Sequence, residues 1–226
     1  MPIVTRPLFG GALDFTGMTA ADSRSRLKPI LNWLTMTQEH PLLAAIPADQ
    51  PSLVTTLTLP AGWLTREGGL LGYGIFWGNL AVSTHVRIGG HFAFSDWQQD
   101  NIAMFGPALV ADWGTARRSN HGGIGVSYLR GPDDFHFRNV NLFLMRRYSF
   151  NHFALALGWF SHAVECKVHI RDAAGPADNF SLIFKTQLHH FRLGVCRYVN
   201  SWLHLGIELA GAPQLYALSA VCAIQI

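Results

Sequence analysis

Histidine and arginine are the side chains here with the most scope for chemistry near neutral pH, and three of them fall in register. His85, Arg87 and His91 share one parity between Leu80 and Phe94, and Lys167 and Arg171 share another further on. In a strand, residues two apart point to the same side, so each set would line a single face. Such a face could hold an anion or polar solute in a lumen, or form a proton-sensitive constriction. The plainer reading is an interior network with Asp112, Glu165 or Glu208 as counter-charges.

Other groupings fail on spacing. Ser161, His162 and Glu165 are the one compact set resembling the triad of a Ser/His membrane hydrolase, in which a histidine takes the proton of the attacking hydroxyl. Neighbours in a strand point apart, so Ser161 and His162 are wrongly placed for that transfer and no catalytic residue is expected. His189 and His190 point apart for the same reason, as do His162 and His169. No metal site is expected, because zinc would need ligands from strands that the sequence does not pair. Cys166, Cys196 and Cys222 lack C-x-x-C spacing and read as buried thiols. Gly122-Gly123-Ile124-Gly125 precedes a strand rather than a helix, so it is no phosphate loop, and no cofactor is expected.

The element that must position the first set is a ribbon. Leu80, Val82, Thr84, Val86, Ile88, Phe92 and Phe94 fall on its apolar side, opposite Asn79, His85, Arg87 and His91. The same period of two recurs to the C-terminus. Strands are expected near 53–59, 69–83, 84–95, 102–113, 122–129, 134–147, 151–160, 161–171, 179–189, 190–199, 201–211 and 214–226. Parallel α/β sheets do not read this way, because their strands are apolar on both faces. Residues 1–50 lack the alternation. Leu27, Ile30, Leu31 and Leu34 recur there at helical spacing, with Pro29 expected to open a helix that ends near Gln38.

Composition narrows where such a sheet could live. Charged residues make up 14% of the chain, against roughly 25% in ordinary soluble proteins. That shortage favours burial against lipid or against other subunits of a membrane assembly. Arg117-Arg118 and Arg146-Arg147 are the longest basic runs, too short for a nucleic-acid surface. Met1-Pro2-Ile3 does not read as a signal peptide. Trp77, Trp97, Trp113, Tyr148, Trp159 and Trp202 sit mostly near strand ends, where a membrane-interface girdle would place them.

The segment from Leu70 to Trp77, Leu-Leu-Gly-Tyr-Gly-Ile-Phe-Trp, followed by the 80–94 ribbon, resembles the strand-turn-strand repeats of bacterial outer-membrane β-barrel proteins. The likeness covers residues 53–226 as a pattern. It departs from that family at Ile224-Gln225-Ile226, where a terminal aromatic is usual. The expectation is an all-β, antiparallel up-and-down β-barrel of about twelve strands (10–14) over residues 51–226. Residues 1–50 would cap or plug it. The protein would sit in the lipid bilayer of a bacterial or organellar outer membrane. It would act as a passive pore for small polar, anion-biased solutes through His85, Arg87, His91, Lys167 and Arg171, or as a structural membrane protein. The alternative is a soluble β-sandwich or calyx that binds an apolar ligand or self-assembles as a structural subunit.

Overall fold

The computed structural model describes residues 6–7, 20–42, 53–64, 68–71, 75–97, 100–131, 135–170, 180–212 and 215–226. In chain order these form β1 (Arg6–Pro7), α1 (Ala20–Thr37), β2 (Leu53–Leu64), β3 (Gly68–Leu71), β4 (Ile75–Ala81), β5 (Val86–Trp97), β6 (Asp100–Thr115), β7 (Arg118–Arg130), β8 (His136–Ser149), β9 (Phe153–Ile170), β10 (Phe180–Tyr198), β11 (Leu203–Ala212) and β12 (Leu215–Gln225). Strands β4 to β12 pair antiparallel in sequence order. β2 then bonds to both β12 and β4, which closes the sheet into a barrel of ten strands. β3 joins β2 alongside this ring, and β1 adds to β3 in parallel. No sandwich forms.

The barrel therefore has ten strands rather than about twelve, and the difference has one cause. Segments 151–160 and 161–171 are a single strand, β9, and segments 179–189 and 190–199 are a single strand, β10. In both, the apolar parity changes sides without a turn. Leu155, Leu157 and Trp159 face outward on β9, whereas Val164, Cys166 and Val168 of the same strand face inward. On β10, Leu182 and Leu188 face inward while Phe191, Leu193 and Val195 face outward. The switch falls at one height of the wall, where Leu188 pairs with His162 and His190 with Phe160.

One end of the barrel carries short connections. They are Val82 to His85, Ala116-Arg117, Phe150 to His152 and Val199 to Trp202. Asn200 shapes the last by accepting the Trp202 and Leu203 amides on Oδ1, at 3.0 and 2.7 Å. Gly114, at φ 116°, turns β6 toward β7 in a conformation closed to side chains, and a Cβ there would stand 2.4 Å from the Arg118 carbonyl. Leu53 and Ile226 meet at this same end.

Above the short turns the outer surface is apolar around the ring. Ile88, Phe92, Phe105, Leu109, Leu142, Leu144, Leu157, Phe191, Leu193, Ile207 and Leu218 all point outward, with Phe191 the most exposed of them at 63%. Toward the opposite end the outer face of β8–β10 becomes polar, carrying Arg138, Glu165, Lys167, Lys185 and Gln187.

Helix α1 lies within the ring, starting at Ala20 rather than at Pro29. Its buried stripe, Leu27, Ile30, Leu31 and Leu34, packs on inward residues such as Phe137, Val164, Val168 and Leu182. Most helical stability in proteins comes from tertiary packing of one face, and this contact supplies it. Each buried leucine contributes about 2 kcal/mol relative to exposure. Arg24, Ser25 and Lys28 remain exposed. The helix also explains the inverted parity of β9 and β10, whose inner face is apolar where α1 covers it.

Candidate functional site

The lumen holds the polar chemistry, and most of it converges on the stretch that follows the helix. Residues 38–42 are buried inside the barrel. Thr35 and Thr37 hydroxyls donate to the Leu31 and Leu34 carbonyls, at 2.6 and 3.0 Å, as the helix ends. The chain then presents Glu39 to three inward residues of the wall. His162 Nε2 and His190 Nε2 lie 2.8 and 2.7 Å from Oε1, and Arg192 Nη2 lies 2.7 Å from Oε2. His190 also hydrogen-bonds Oε2 at 2.9 Å.

Arg192 and His162 have second polar partners, and His190 is held by stacking. Arg192 donates to Glu208 of β11 at 3.0 Å and to the Met36 carbonyl of α1. His162 Nδ1 meets Asn139 Oδ1 at 3.1 Å. The His162 and His190 rings stack, with centroids 5.3 Å apart and planes 8° from parallel, and Phe160 continues the stack beside His190. Burial pushes the Glu39 carboxyl up, but Arg192, His190 and His162 outweigh it and hold the group at about 2. Glu39 is thus an anion inside the barrel, surrounded by donors. Next to it, His40 Nε2 meets Asn79 Oδ1 at 3.1 Å, with its ring between Trp77 and Phe143.

A second network lies nearer the short turns. Asp112 receives Arg87 Nε at 2.6 Å and His121 Nδ1 at 2.5 Å, and His121 Nε2 meets the Ser119 hydroxyl at 2.8 Å. Arg147 donates to the Tyr198 hydroxyl at 3.1 Å. Arg147, Tyr198, His204 and His152 help to line a cavity of about 450 Å³ at that end.

The residues expected from sequence divide as follows. Arg87 and His91 face the lumen and are buried, His91 against the Trp77 ring. His85 lies in the β4–β5 turn, exposed, because the strand ends at Ala81. Lys167 is on the outer face, since the parity of β9 has inverted by that height. Arg171 lies outside the described residues. Among the aromatics, Trp113, Tyr148 and Trp202 are exposed near the short turns, Trp159 faces outward within the apolar band, and Trp77 faces inward at 2% exposure. The Trp97 side chain lies outside the described residues. Ser161 and His162 point to opposite sides of the wall.

Glu208 faces the lumen as the interior-network reading expects, whereas Glu39, His190 and Arg192 escape a sequence reading. His190 looks paired with His189, and only the β9–β10 register sets it beside His162. Glu39 comes from a segment without periodicity. The one available signal is that it follows a buried-looking helix directly, as one of two acids, with Asp49, before the first long strand.

The closed antiparallel ring, apolar outside and filled by its own helix, decides the architecture. The fold is a closed antiparallel β-barrel of ten strands around a short helix. No protein-family model matches the chain, and no curated protein matches it in sequence. Among solved structures, the translocator domain of the autotransporter NalP from Neisseria meningitidis is similar at a TM-score of 0.46 and 10% identity, over 91% of this chain and 97% of that one. The KdgM porin gives 0.40 and 8%, over 75% and 98%. Omp33 of Acinetobacter baumannii gives 0.39 and 8%, over 78% and 98%.

Proposed function

We propose that this barrel sits in an outer membrane and passes small anionic solutes only when its N-terminal segment leaves the lumen. The sidedness of the wall carries this reading. A continuous outward band of Ile88, Phe92, Leu142, Leu157, Leu193 and Ile207 would be costly in water and is stable against lipid tails. Strands of ten residues or more, as in β9 and β11, meet the length a tilted strand needs to cross a bilayer. Trp113, Tyr148 and Trp202 would then lie at the interface near the short turns.

The anion bias follows from the inner face. Among the described wall residues, Arg87, Arg147 and Arg192 face inward against Asp112 and Glu208. The wall alone is formally +1, and Glu39 of the plug cancels it. Withdrawing the plug removes the counter-charge and opens a positive lumen.

Planar-bilayer recording tests both parts. The full chain should insert and stay mostly closed. Glu39→Lys, which sets a cation against Arg192, should conduct with anion preference, circular dichroism confirming the sheet. A cation-selective or silent Glu39→Lys barrel would refute the gated pore. Single cysteines at Ile88 and Phe92, in a background without the native three, should react with a lipid-soluble label while those at Arg87 and His91 do not.

A further inference from the structure

We infer that His162, His190 and Arg192 form a carboxylate receptor in the barrel wall, with Glu39 as its resident ligand, and that the permeating solute carries a carboxylate that competes for it. This rests on the gated-pore reading and names the solute class it lacks.

The donors are organised by the wall rather than by Glu39. Arg192 is held by Glu208 at 3.0 Å and lies over the Phe160 ring at 5.4 Å. His162 is oriented by Asn139, and His190 is fixed in the stack between Phe160 and His162. A receptor whose groups keep these partners when the ligand departs stays shaped for another carboxylate. Both oxygens of the ligand are engaged, Oε1 by the two imidazoles and Oε2 by the guanidinium and His190. That is recognition of a planar, two-oxygen anion, the geometry to which arginine is suited.

Glu39, His162 and His190 could also be read as three ligands of a metal ion, since their atoms cluster within 4.8 Å. The spacing argues otherwise. The ligand atoms of a tetrahedral zinc with bonds near 2.0–2.1 Å sit roughly 3.3 Å apart, whereas here the imidazole nitrogens approach Oε1 to 2.8 and 2.7 Å and His190 Nε2 hydrogen-bonds Oε2 at 2.9 Å. The guanidinium on the same carboxylate further disfavours a dication.

Arg147 marks the short-turn side of the receptor. Arg147 borders the cavity there, and it stands two residues along β8 from Met145. Met145 pairs with Gly158, which in turn pairs with Arg192. Leu42, Phe143, Met145 and Phe160 pack between the two levels, so an anion entering there meets Arg147 first and reaches Arg192 only once Leu42 leaves with the plug.

Chemical rescue tests the receptor in the full chain. Glu39→Gly leaves a carboxylate-sized gap on the donors. Formate at on the order of 10–100 mM should fill it and raise the melting temperature of this variant saturably, by about 2–4 °C beyond equal chloride. Wild type and Glu39→Gly/Arg192→Met should show no such excess. If Glu39→Gly does not fold, Glu39→Ser serves in the same assay. No excess over chloride, an equal excess in the double variant, or a zinc-dependent rise in wild type lost in both His162→Ala and His190→Ala would overturn the receptor. In bilayers, formate above the effective concentration of the tethered Glu39, millimolar or more, should open wild type more often than chloride does, and equal opening overturns the competition. Rescue without any conductance would refute the pore and leave the receptor standing. Conductance without rescue would do the reverse.

Discussion

Arg192 Nη2 lies 2.7 Å from Glu39 Oε2, and this ion pair, both side chains almost wholly buried, ties the barrel wall to the plug. Removing one partner of such a pair strands the other charge, at a cost of about 3–5 kcal/mol. The two partners are unequal, because Arg192 also serves Glu208. Arg192→Met should therefore cost more than Glu39→Gln, which keeps the shape and leaves Arg192 its second acid, at about 1–3 kcal/mol. Unfolding in detergent, with protease cleavage within residues 20–42 as a reporter of plug release, should rank the variants in that order. An equal or reversed ranking would mean that the pair does not anchor the plug.

The outer face of β9 and β10 should respond to charge according to height. Leu157 and Leu193 lie in the apolar band, and an arginine there should cost about 2–4 kcal/mol in a lipid-vesicle folding equilibrium. Gln187 is also outward but beyond the switch in parity, so Gln187→Arg should cost about 0–1 kcal/mol. Equal costs at all three sites would remove the lipid band from β10.

The alternation that reveals the strands is a local property, and the ribbon from Leu80 to Phe94 shows it, since Ile88 and Phe92 do face outward opposite Arg87 and His91. Its failure at His162 and His190 has a physical reason. The rule that the apolar side faces lipid presumes a wet lumen and a wall within the bilayer throughout. Once α1 fills the upper lumen and the wall rises past the apolar band, Val164 and Leu182 turn inward and Lys167 outward. A strand that crosses this boundary then reads as two. The Glu39 cluster was illegible for a related reason: it joins a segment without periodicity to two strands whose register only the closed sheet defines.

Close backbone contact, rather than conformation, restricts Gly106 on β6. A Cβ there would stand 1.8 Å from the Val126 carbonyl, and a backbone atom cannot step aside. Gly78 on β4 has nothing within 4 Å of the same position. Gly106→Ala should lower stability by about 1–3 kcal/mol through forced strand displacement. Gly78→Ala should be neutral or gain about 0.5–1 kcal/mol from the stiffer unfolded chain. Denaturant unfolding of the two variants side by side checks this, and a destabilised Gly78→Ala would show that the outer face at that point is packed against something.

Acid should release the plug far below the usual carboxylate range. Glu39 titrates at about 2 in the folded barrel, against about 4.3 when unfolded. A carboxyl whose folded value is depressed contributes its full stabilisation above the unfolded value and loses it as pH falls through the folded one. The groups facing Glu39 are His162, His190 and Arg192, with Glu208 behind Arg192. Wild type should therefore stay closed in bilayers from pH 7 to about pH 4, opening only as pH approaches 2–3, whereas Glu39→Gln should show no acid-dependent step. Openings in wild type with a midpoint near pH 4–5 would mean that Glu39 is not held by these three donors when the barrel is in the membrane.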